Sequence, residues 1–184
     1  DRALFIDANQ RWDLDTATRS LEELAVAGLG WIEEPLRADD LAGHTELSRR
    51  LSASSGIPID LGENVHTQYR FEDFLRADAA QNLQPNVVPV GGITPFLRLA
   101  ALADRAGLDP APHFAMEIHL PLAAAYPRDT SVEPFDWLDP PFAEGPETRH
   151  ARILGPHRPR LPTTLPDQPR TSTPPPAPPA PPPP

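Results

Sequence analysis

The sequence predicts an α/β fold, a partial (β/α) TIM-type barrel of about six βα units over residues 1–150, followed by a disordered Pro-rich tail over 151–184. Three observations predict it. Strand-like runs recur at intervals of roughly 25–30 residues with helix-patterned segments between them, the mark of a parallel sheet. Asp7, Glu33, Glu63, Asn86, His113 and Glu133 each fall at the C-terminal end of a successive strand-like run or just past it, where a barrel builds its site. A doubly wound sheet would instead gather its site at one switch point beside a glycine-rich first turn. Here the only glycine pair, Gly91-Gly92, follows the fourth run. Finally, 14 of the 27 prolines lie from Pro156 onward, and such a stretch cannot build a core.

The strand-like runs are Ala3–Asp7, Gly30–Glu33, Ile57–Leu61, Asn82–Gln84, Asp109–Pro112 and, weakly, Ser131–Glu133. Thr16–Ala27 is helical, with Ala17, Leu21, Leu24 and Ala25 on one face and Asp15 as N-cap. Asp40–Ser52 turns Leu41, Leu47 and Leu51 inward. Thr94–Ala106 carries Phe96, Leu97, Leu99, Ala100 and Ala103, and Gly107 suits the position just past its end. Met116–Ala125 is apolar and stops before Pro127. Glu117 and His119 open that helix, to cap it or to line a pocket, whereas His44 and His66 are expected at solvent or just behind the site residues.

Composition excludes several functions. The net charge of -10 argues against nonspecific nucleic-acid binding. No run of 18 apolar residues exists to cross a membrane, and no signal-peptide pattern is present, so a cytoplasmic protein is expected. Cysteine is absent, which excludes disulfides and thiol catalysis. All 16 basic residues are arginine, so no lysine base or Schiff base is available within these residues. The chain begins almost directly on a strand, which suggests an N-terminal truncation.

Three carboxylates stand out. Asp7 lies in Phe5-Ile6-Asp7-Ala8-Asn9-Gln10, Glu33 in Trp31-Ile32-Glu33-Glu34-Pro35 and Glu63 in Ile59-Asp60-Leu61-Gly62-Glu63-Asn64. Three carboxylates at one rim repel one another unless a hard cation joins them, so the pattern points to Mg²⁺.

These stretches, with Gln84-Pro85-Asn86, Gly91-Gly92-Ile93-Thr94-Pro95 and Pro112-His113-Phe114-Ala115-Met116-Glu117, resemble the enolase superfamily. The similarity is to the C-terminal barrel domain of its mandelate racemase/muconate lactonizing subgroup, strands three to eight, and covers residues 1 to about 146. The run from His113 to Pro127 looks most like acid-sugar dehydratases of the galactarate/talarate kind. The resemblance implies a lyase that removes the proton beside a carboxylate, stabilises the enediolate with Mg²⁺ and expels the β-hydroxyl as water. It implies Asp7, Glu33 and Glu63 as metal ligands within reach of one ion, His113 as base or acid, and Glu133 as the acid bonded to the substrate carboxylate. Asn9, two residues beyond Asp7 and so on its face of a strand, is expected to touch substrate. The partner implied is a small acid sugar, and full-length members of the family are homo-oligomers.

The chain departs from the pattern in two ways. The family pairs its histidine with an aspartate where this chain has Asn86, an amide that accepts a bond without stabilising imidazolium by charge. The family's Lys-x-Lys motif and capping domain are also not in the chain. Three other readings follow: a racemase or cycloisomerase of the same superfamily, a fragment inactive by itself, and a Pro-rich ligand for a partner domain.

Overall fold

The computed structural model of the protein describes residues 3–108, 110–124, 126, 130–133, 147–149 and 152–154. Four parallel strands, β1 (Leu4–Asp7), β2 (Leu29–Glu33), β3 (Ile59–Leu61) and β4 (Asn82–Leu83), pair in sequence order. Helices separate them: α1 (Leu14–Leu24), α2 (Leu41–Ala53) and α3 (Gln68–Arg76), with α4 (Ile93–Ala106) and α5 (Met116–Ala123) after β4. A strand order that never reverses is that of a barrel wall, not of a doubly wound sheet. The fold is α/β, a partial barrel.

Register decides what each face carries. Ile6 pairs with Ile32, Ile32 with Ile59 and Leu61 with Leu83. Ile32, Ile59, Leu61 and Leu83 join Leu21, Leu47, Phe71 and Phe74 in the main hydrophobic core, with Ile6 partly buried against it, so this is the face the helices cover. The alternate register pairs Phe5 with Trp31, Asp7 with Glu33, and Glu33 with Asp60. Side chains alternate along a strand, so these line the opposite, inner face. Phe5 stacks on Trp31 there, ring centroids 3.8 Å apart.

The register depends on a bulge. Leu4 pairs with Leu29 but Phe5 with Trp31, which leaves Gly30 as the extra residue of β2. A Cβ on Gly30 would stand 2.2 Å from the Phe5 ring. Were Gly30 paired with Phe5 instead of bulged, Asp7 would lie beside Ile32 and not Glu33, because a slip of one residue exchanges the faces of a strand.

Several elements differ from the sequence expectation. The N-cap of α1 is Asp13, whose Oδ1 accepts from Thr16 N–H at 2.7 Å. Asp15 sits one residue inside the helix and faces Arg50 at 3.6 Å. Helix α3 is an element the pattern reading missed. It has nine residues, buries only Phe71 and Phe74, and receives no side-chain cap from Thr67. The fifth strand-like run shrinks to a single bridge, Leu83 with Pro110. Pro110 and Pro112 have no N–H to extend a ladder. Residues 131–133 form no strand. His44 is fully buried rather than at solvent: its Nδ1 lies 2.9 Å from the Asp40 carbonyl and its ring meets Phe74 edge-on. Gly107 closes α4 at φ 75° as expected.

An antiparallel pair, β5 (Glu147–Arg149) and β6 (Arg152–Leu154), spans the expected domain boundary near residue 150. The Pro-rich tail after Leu154, Asp109 of the fifth run and Ala125 at the expected end of the last helix lie outside the described residues. Among the described residues no helix is long and apolar enough to cross a membrane.

Candidate active site

The C-terminal ends of the four strands carry the chemistry. Asp7 ends β1 and Glu33 ends β2, side by side in register. Asp7 Oδ1 accepts from the Asn9 N–H at 2.7 Å, and its Oδ2 from the Asn9 side-chain amide. Asn9 therefore meets Asp7 through a turn, at φ 47°, and not as a neighbour two along on a strand, since β1 ends at Asp7. Burial raises Asp7 above the usual carboxylate range, and Glu63 adds to the rise against the Asn9 bond.

Glu33 is 8% exposed and is pushed up to about 7, first by burial and then by the charges of Asp7, Glu133 and Glu63. A Gln84 side-chain hydrogen bond opposes the rise. Asp60, beneath it on β3, is completely buried and raised well above its ordinary value by burial and by Glu33. The sequence signal for Asp60 is an acid set between Ile59 and Leu61 inside an apolar run.

Glu63 follows Gly62, whose φ is 149° and whose Cα a Cβ would bring within 2.8 Å of the Gln84 backbone. Only glycine lets the loop pass so close. Glu63 Oε2 lies 2.6 Å from His113 Nε2, and Asn64 Nδ2 donates to Glu63 Oε1 at 2.8 Å. The same Asn64 amide donates to Glu34 Oε2 at 2.8 Å, so the buried Glu34 orients the loop from behind. The His113 bond holds Glu63 below its ordinary value. Burial alone would lower His113, but the Glu63 bond and the charges of Glu63, Glu133 and Glu33 outweigh it, and His113 is raised. Glu133 Oε2 stands 3.5 Å from the same His113 nitrogen. Burial raises Glu133 as well, against the pull of His113.

The structure thus brings Asp7, Glu33, Glu63, His113 and Glu133 to one rim. Among the described residues no three histidine, cysteine or acidic side chains stand as they would around a metal ion. Glu63 is directed to His113 instead, because a charge-assisted bond relieves an acid otherwise among acids. Asn86 follows β4, and its Oδ1 accepts from Val88 N–H at 3.0 Å, so the amide caps its own turn. A cavity of about 490 Å³ lies beside the cluster, lined by Gln10, Arg37, Asn64, His66, Thr67 and Arg70 among others. Asn64 is the wall it shares with the Glu63 bond.

Comparison with known proteins gives a consistent picture. Residues 1–167 match the family model described as Enolase C-terminal domain-like. L-talarate/galactarate dehydratase from Salmonella typhimurium is 42% identical over 170 residues, which is 92% of this chain and 42% of that protein. A 3,6-anhydro-alpha-L-galactonate cycloisomerase from Streptomyces coelicolor is 37% identical over 130 residues, 71% of this chain and 35% of its own length. The crystal structure of L-talarate dehydratase from Polaromonas sp., complexed with Mg and L-glucarate, superposes with a TM-score of 0.83 at 48% identity. That match covers 90% of this chain and 43% of the other. The chain therefore spans less than half the length of these relatives.

Proposed function

The chain belongs to the Enolase C-terminal domain-like family, and on that premise we propose that it forms part of a Mg²⁺-dependent dehydratase of acid sugars. The observation that carries the reading is the 2.6 Å contact of His113 Nε2 with Glu63 at a rim that also holds Asp7, Glu33 and Glu133. A titratable nitrogen beside an acid cluster is what removal of a proton next to a carboxylate requires. The dehydratase relatives and the Mg and L-glucarate complex of one of them support the same assignment.

The donor set fits a hard cation. Asp7, Glu33 and Glu63 offer oxygen donors only. Asp7 and Glu33 are raised by burial and by neighbouring acids, which is how a carboxylate cluster short of positive charge behaves. These three would hold Mg²⁺, and the bound ion supplies the positive charge that makes loss of a proton beside a carboxylate affordable. The chain's own residues do the rest. His113 takes the α-proton as imidazole and returns a proton at Nε2 to the departing β-hydroxyl as imidazolium. The α C–H and β C–O bonds break, water leaves, and the enol left behind becomes a 2-keto acid. Glu133, whose Oε2 stands 3.5 Å from His113 Nε2, holds the substrate carboxylate. Asn9, tied to Asp7, contacts the substrate, and Asn86 follows Pro85, whose carbonyl accepts from the His113 N–H, and brings no charge to that loop.

Mg²⁺ and a panel of acid sugars, with NMR detection of the keto acid, test the reading. The protein is assayed as it stands and as a chimera in which the Polaromonas dehydratase supplies the rest of its own length. Turnover is expected in the chimera, and His113→Asn should abolish it. A folded, Mg²⁺-binding chimera that turns over none of the panel would count against the reading. A product that keeps its water would move the assignment to the cycloisomerase class of the Streptomyces relative.

A further inference from the structure

His119 sits on α5 with no exposed surface, and both of its ring nitrogens are engaged. Val87 N–H donates to Nε2 at 2.9 Å, and Nδ1 donates to the Phe114 carbonyl. That pair of bonds requires one tautomer, with the proton on Nδ1 and Nε2 bare. Phe96 of α4 packs on the ring, centroids 5.1 Å apart. The two partners belong to separate loops. Val87 is next to Asn86, after β4, and Phe114 is next to His113, after the Pro110 bridge. His113 N–H adds a third link by donating to the Pro85 carbonyl at 3.3 Å. Phe114 and Ala115 hold φ values of 63° and 45°, a conformation that non-glycine residues keep only when their surroundings enforce it.

We propose that His119 is the positioning residue of this site, a neutral hydrogen-bond clamp that fixes the His113 loop against the Asn86 loop. Its proton donor and its acceptor each hold backbone, so it orients the acid–base residue without touching substrate. Burial pushes the ring down to about 4, so it stays neutral where His113 changes charge. The functional meaning of the clamp rests on reading His113 as the acid–base group. The measurements that test it need no turnover, so their failure is distinct from failure of the dehydratase reading.

Long-range ¹H–¹⁵N spectra of the histidine rings in the whole chain should show His119 protonated at Nδ1 and bare at Nε2, at pH 7 and still at about pH 5.5. An Nε2–H ring, or an imidazolium at the lower pH, overturns the clamp. His119→Phe keeps the ring's bulk beside Phe96 and removes both nitrogens. In that variant the Val87 amide should exchange with solvent at least about tenfold faster while Ile32 of β2 is unchanged. The His113 ring resonances should move, and those of His44, buried on α2, should not. Equal exchange gains throughout, or unmoved His113 resonances, would make His119 a packing residue only. If the Phe variant does not fold, the tautomer in the parent chain decides.

Discussion

Glu33 faces Asp7, Glu63 and Glu133 while nearly out of water, and its proton is held up to about 7. A carboxyl raised in the folded state stabilises fully below its unfolded value of about 4.5 and loses that contribution as pH climbs through about 7. Glu33→Gln keeps the shape and cannot ionise. Without added metal the variant should match the parent in thermal unfolding at about pH 4 and exceed it at about pH 8, by at most about 3 kcal/mol. It should bind Mg²⁺ more weakly in calorimetry, a trade of function for stability. His113 offers a second check. It is raised because Glu63 bonds to it, and Glu63 is also the proposed third ligand. Saturating Mg²⁺ should therefore lower the NMR titration midpoint of His113. Heat of binding with that midpoint unmoved would remove Glu63 from the ligand set. The individual acids could be picked from the sequence because each closes an apolar run. Their present partners could not, because a rotamer choice such as Glu63 toward His113 is settled by charge across loops 50 residues apart in the chain.

Among the elements, α1 shows how a cap is decided. Asp13, Asp15 and Thr16 crowd its start, and the residue with extended backbone, Asp13, takes the capping bond. Asp13→Ala should lower the midpoint of thermal unfolding by a few degrees, whereas Asp15→Ala should leave it nearly unchanged. The reverse order would place the cap two residues later. Helices α2 and α4 were legible because their apolar positions repeat at helical spacing over thirteen and fourteen residues. Helix α3 offers Phe71, Phe74 and Leu75 at that spacing, but over nine residues and without a cap, too little to stand out. The bridge at Pro110 shows the opposite error. An apolar run at the expected interval looks like a strand, yet backbone donors decide whether it can be one.

Across the whole molecule, the alternation of strand and helix set the architecture, and the steady strand order followed from it. What no pattern disclosed is the single unpaired glycine in β2. Gly30→Ala should displace Phe5 from Trp31 and cost about 1 kcal/mol, the worth of one aromatic stack. Near-ultraviolet circular dichroism should change with it, and an unchanged spectrum would mean that the bulge absorbs a methyl group. Asp7 and Glu33 meet because the ladder passes over Gly30, so that Phe5, Ile6 and Asp7 pair one for one with Trp31, Ile32 and Glu33. The site is thus written partly as a parity. Substitutions that respect the count leave both acids on the hollow side of the wall. Pairing Gly30 with Phe5 would turn Glu33 into the oily layer beneath the helices, whereas loss of Gly30 would straighten the ladder and still set Glu33 beside Asp7.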